Sequence, residues 1–147
     1  MKTEFKDYLS EIGISGAILD RVEEILKFYN EYLKFQIDEI FVCEYIDADG
    51  SRVFESLWFF NSDYCFEAKN FIISENYDVD FYKKQINSFN ILKKDFNILE
   101  NVSNENSRLN LTFSFSPRRV GILKASKNNC KQIVKIIENF IKPNLKE

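Results

Sequence analysis

From Arg108 to Ser116 the chain reads RLNLTFSFS, so that Leu109, Leu111, Phe113 and Phe115 alternate with Asn110, Thr112, Ser114 and Ser116. A period of two puts successive side chains on opposite faces of a strand, and the run predicts a strand with one buried and one wet face. SPRR turns the chain and VGILKAS returns it. Further upstream, EIFVCEYID, RVFESLWFF and YCFEAKNFII are short, aromatic and β-branched, with tight turns between them. They predict three consecutive antiparallel strands. FYKKQINSF and ILKKDFNIL are further strand candidates, the first also readable as a short helix, and ENVSNENS is a polar loop.

The period changes at both ends. Ile18, Leu19, Val22, Ile25, Leu26, Tyr29, Tyr32 and Leu33 fall on one stripe at helical spacing, opposite a charged face of Asp20, Glu23, Glu24, Lys27, Glu31 and Lys34. Ser15 is the expected N-cap, and a shorter helix over about residues 3–11 precedes it, with the break at Gly13. Near the C-terminus, Cys130, Ile133, Val134, Ile137, Phe140 and Ile141 form the apolar stripe of a helix over about Lys127–Ile141, which Pro143 ends. Lys127, Lys131, Lys135 and Lys142 line the neighbouring stripe.

One turn poses a chemical question. Asp47, Asp49 and Gly50 could begin a calcium loop or form the tip of a hairpin. A calcium loop set on these acids places Tyr45 first and Ser56 last, and neither supplies the carboxylate those positions need. Asp-Gly between two β-rich runs is a hairpin signal instead, with both central residues expected at positive φ.

Composition limits the chemistry. At 147 residues with 45% hydrophobic and 16% aromatic side chains, the chain has the material for one core and is read as one domain, 1–147. It contains no histidine, which removes Ser-His and Cys-His catalysis and histidine-ligated metal sites. Cys43, Cys65 and Cys130 are widely spaced and read as small buried hydrophobes in a reducing compartment. The four glycines cannot assemble a phosphate loop. No cofactor or metal is expected. The start, MKTEFKDYLSEIG, lacks an apolar signal core, and no apolar run approaches a membrane span, so a cytoplasmic protein is expected. Abundant Asn, Ile, Lys and Phe suggest an AT-rich genome, and a bacterial protein is expected.

The net charge of −3 conceals a split. Residues 1–107 hold 11 Lys/Arg and 21 Asp/Glu, which is −10, whereas residues 108–147 hold 9 and 2, which is +7. The split marks either a basic end for an acidic partner or complementarity within the molecule. Arg118, Arg119, Lys131 and Lys135 are the candidate partner-binding residues, since Arg forks match carboxylates and the lysines supply a field. Glu44, Asp47, Asp49 and Glu55 are the acids that could cluster near the first hairpin.

Helices, some seven antiparallel strands and a closing amphipathic helix give an α+β fold. With YCFEAKNFIIS as a hairpin strand before a polar corner, and LTFSFSPRRVGILKASKNNCKQIVKIIENFI as a last hairpin running into the helix, the element order resembles the pleckstrin-homology-like superfold. The resemblance implies a β-sandwich or half-barrel body over 38–142, closed by its C-terminal helix, with 1–36 a helical N-terminal extension. A rival α+β reading, the small acidic secretion-chaperone type, applies if DFYKKQINSFN is helical. Lipid-binding members hold inositol phosphates with basic residues at the first hairpin. Here that hairpin is mostly acidic, which disfavours phosphoinositides. A non-catalytic binding module for a protein or peptide is the leading expectation, with an extended peptide added at a sheet edge beside the closing helix. The alternatives are an acidic immunity protein, antitoxin or chaperone-type protein, and a carboxylate hydrolase. Nucleic acid or an anionic membrane is a weaker partner expectation from the basic end.

Overall fold

Thr3–Glu11 forms α1 and Gly16–Lys27 forms α2, and the chain reverses between them at Gly13, whose φ of +86° a side chain would oppose. The computed structural model describes residues 1–71, 76–83, 86–97, 99–100, 102–115 and 119–145, with the backbone alone at Phe115. Ser15 has the extended backbone of an N-cap, yet its side chain makes no capping bond. After Lys27 the helix widens into a π-turn over Phe28–Tyr32. The widening rotates the end of the predicted stripe: Val22, Ile25, Leu26 and Tyr29 are buried, whereas Tyr32 and Leu33 face solvent.

Among the described residues, seven antiparallel strands follow in two sheets, and no barrel closes. The first sheet has the order β1 (Glu39–Ile46), β2 (Arg52–Phe60), β3 (Tyr64–Lys69), β4 (Val79–Lys83). The second has the order β5 (Ile86–Lys94), β6 (Arg108–Phe115), β7 (Arg119–Ser126). The two runs expected at 81–89 and 91–99 are cut differently: β4 ends at Lys83, and β5 joins the end of the first to the start of the second. Both are strands, so a helix over DFYKKQINSFN is ruled out for the described part of that stretch. The closing helix begins with a 3-10 turn at Lys127–Asn129, continues as α3 (Cys130–Ile136), and ends in a π-turn over Ile137–Ile141.

The centre of the first sheet is buried on both faces. On one side Phe41, Cys43, Trp58, Phe60 and Cys65 pack with Leu109, Leu111, Phe113 and Leu123 of the second sheet and with Ile133, Ile136, Phe140 and Ile141. On the other, Ile40, Val42, Leu57, Phe59, Phe66 and Ala68 pack under α1 and α2, against Phe5, Leu9, Val22, Ile25 and Tyr29. Each fully buried side chain of this size contributes about 1.5–3 kcal/mol, so the helices and the sheet hold each other in place. A polar seam joins three elements inside this packing. Tyr8 of α1 donates to Asn129 (2.6 Å) and accepts the Val42 N–H (2.9 Å), while Asn129 donates to the Val42 carbonyl (2.8 Å).

Candidate functional site

The basic candidates have different surroundings. Arg118 lies outside the described residues. Arg119 opens β7, exposed, with its guanidinium 5.5 Å from the centre of the Tyr82 ring. Lys131 stands exposed on α3, and Lys135, one turn on, sits 2.8 Å from the buried carboxylate of Glu39. Glu39 also accepts from Gln132 (3.0 Å), so Lys135 ties α3 to the start of β1. Lys124 reaches Glu55 (3.4 Å) and Lys127 reaches Glu105 (4.0 Å). Three ion pairs therefore run from the basic segment to the acidic one. Part of the charge split is complementarity within the fold, each exposed pair worth about 0–1 kcal/mol.

The acidic candidates do not converge. Glu44 is buried, where it accepts the Ser126 N–H (2.8 Å) and hydroxyl and pairs with Arg52, whose guanidinium also donates to the Ile12 carbonyl. At the hairpin tip Asp47 accepts the Asp49 N–H (3.1 Å), and Asp49 accepts the Ser51 N–H (2.8 Å). Gly50 alone takes a positive φ there, +86°, and Asp49 does not. The expected two-residue turn is thus a longer loop, because the two Asp side chains cap its N–H groups and let Gly50 carry the left-handed step alone. Hydrogen bonds with Asp47 and Ser51 hold the Asp49 carboxyl below the usual carboxylate range.

Among the described residues, no three or more acidic or cysteine side chains gather as metal ligands would. Burial pushes the Cys43 thiol up to about 12 and that of Cys130 up to about 11. Neither has appreciable thiolate at neutral pH. Glu67, on β3, is pushed up to about 6 by burial, against the opposing pull of Lys69, which stands 3.9 Å away.

A different feature stands out at β5. The strand is outermost in its sheet, and Asn87, Ser88, Asn90, Ile91, Leu92, Lys93 and Lys94 are all exposed, with Leu92 63% open. β6 occupies one side, where Phe89 pairs with Phe113 and Ile91 with Leu111. Among the described residues the other side carries a single isolated bridge, in which Leu145 lies parallel to Ile86. Phe89, Val134, Ile137 and Leu145 are half-buried along the margin of the core. β5 thus presents a nine-residue edge whose one half-buried apolar side chain, Phe89, packs against the core. The sequence carried a signal for this edge, the paired lysines around INSFNIL, since lysine is a common guard of exposed strand edges.

A second exposed apolar area lies where α2 ends. Phe28 stacks on Tyr32, and Tyr29 links them to Phe81 at the edge strand β4. Glu24, Lys27, Phe28, Tyr32 and Tyr77 line a shallow depression there. No helix among the described residues is long and apolar enough to cross a membrane. Comparison with protein-family models gave no match, and comparison with curated proteins and with solved structures gave no significant one.

Proposed function

We propose that the protein is a non-catalytic binding module that accepts an extended segment of a protein partner along β5. The observation that carries this reading is the open β5 edge, already bridged at its first residue by the chain's own Leu145. Strand addition supplies main-chain hydrogen bonds for affinity and side-chain contacts at alternate positions for selection. Phe89 and Ile91 are such alternate positions, on the face that looks toward the core. The division into four and three strands, with a helix closing the sandwich, supports a pleckstrin-homology-like body. Arg119 and Lys131, with Arg118, serve as the source of a field that speeds approach rather than as the docking surface itself.

A photoreactive amino acid placed at residue 91 tests this reading in the native cell. The expected result is a cross-link to one segment of a partner protein, absent when the probe stands at Asp20. Cross-links from positions 119 and 131 alone would place the contact at the basic end instead. A second reading, a neutralising protein of the immunity type, draws on the exposed Phe28, Tyr32 and Phe81. Capture from position 32 and not from 91 would favour it.

A further inference from the structure

We infer that the segment received by β5 is acidic at both ends and apolar in the middle. The inference rests on the reading of β5 as a docking edge and names the chemistry of what docks there. Over residues 83–94 the chain reads KKQINSFNILKK, so that β5 ends in Lys93 and Lys94 and Lys83 stands three residues before it begins. Lys83, Lys93 and Lys94 are exposed, and none has an ion-pair partner among the described residues. That distinguishes them from Lys69, Lys124, Lys127, Lys135 and Lys142, each of which meets a carboxylate. Cationic charge left unmatched at both ends of an open edge selects carboxylates there, and because it is at both ends the selection holds whichever way the segment runs.

The same lysines oppose a second copy of the chain. Antiparallel self-pairing about Asn90 would set Lys94 opposite Ile86, three residues from the other copy's Lys83. Like charges would then collect at both ends of the ribbon, which disfavours pairing. The centre of the strand selects differently. Phe89 and Ile91 lie two apart on the core-facing side, opposite the buried Phe113 and Leu111, with Phe89 half-buried and Ile91 still 36% exposed. Apolar, β-branched residues two apart in the incoming segment would cover them and continue the sandwich core.

Three labelled nonapeptides test the inference by fluorescence anisotropy. The acidic probe is Glu-Asp-Val-Thr-Val-Thr-Val-Asp-Glu; the others replace its four acids by Gln/Asn or by Lys. The acidic peptide should bind about tenfold or more tightly than the neutral one at low salt, as expected of a few exposed charge pairs. Added salt should narrow the gap. The double variant K93E/K94E should weaken the acidic peptide and favour the lysine peptide, and I91D should abolish binding of all three. Equal affinity for acidic and neutral peptides, or preference for the basic one, overturns the charge inference and leaves the edge reading standing. Absence of binding by all three at millimolar concentration overturns both. Unchanged binding by I91D overturns the edge reading, because the lysines would then be acting alone. Self-association of the wild type that I91D abolishes would make a second copy the occupant and overturn the inference.

Discussion

Glu67 shows how one side chain records the cost of its surroundings. Its carboxyl is half-buried beside Asp80 and Glu55, and burial raises it from 4.5 to about 6 in the folded chain. A raised carboxyl means that the folded state holds a proton the unfolded state has released. Stability therefore falls as pH rises from about 4.5 to about 6 and levels off above, the reverse of a salt-bridged acid. Glu67→Gln should remove this dependence. At pH 7.5 it should raise the melting temperature by about 2–4 °C, the equivalent of about 1 kcal/mol in a chain of this length, and at pH 4 it should change little. Thermal melts across pH check this. A loss of stability at pH 7.5 would instead mean that the carboxylate earns its place through Lys69. The Asp47–Asp49 hairpin carries a related lesson. Its existence was legible in Asp-Gly between two strand-like runs, but its geometry was not, because two Asp side chains capping backbone N–H groups changed the turn.

Among the elements, legibility followed periodicity. β6 alternates cleanly since one of its faces is wet, and its bounds came out within a residue of the pattern. β4 and β5 were misdivided, because FYKKQINSFNILKK carries a weak pattern and β5 is exposed on nearly every residue. An edge strand with little to bury leaves little alternation to read. The continuous runs FVC and LWFF were the trace of the largest feature missed, a sheet covered on both faces, where alternation has no physical reason to persist. Element packing also has a measurable weak point at Gly121 of β7. A Cβ there would lie 2.6 Å from the Phe113 ring and 2.8 Å from Trp58. Both rings are fully buried and cannot swing away. Gly121→Ala should cost about 1–3 kcal/mol of stability, read from denaturant melts with an unchanged slope. A neutral result would show that β7 and β2 separate more easily than their contacts imply.

The N-terminal helices bear on the fold as a unit. They cover Ile40, Val42, Leu57, Phe59 and Phe66, which together would leave a broad apolar face in water if 1–36 were removed. Deletion of residues 1–36 should therefore yield a chain that aggregates or unfolds without cooperativity. A soluble, cooperatively melting monomer would show that the sandwich stands without its helices. The charge split has a similar two-level reading: Glu39–Lys135, Glu55–Lys124 and Glu105–Lys127 spend part of it inside the fold. What remains unmatched among the described residues includes Lys83, Lys93 and Lys94 about β5, and these carry the inferred chemistry of the docked segment.

Hydrogen exchange along β5, with and without the acidic nonapeptide, tests that account most directly. In the free protein the amides of residues 87–94 that point away from β6 should exchange fast, as on any open edge. With saturating peptide they should slow by about tenfold or more, since strand addition closes them in new hydrogen bonds while β1–β3 stay as they were. Protection that appears instead around Phe28–Tyr32 and Phe81, or around Arg119 and Lys131, with β5 unchanged, would contradict it.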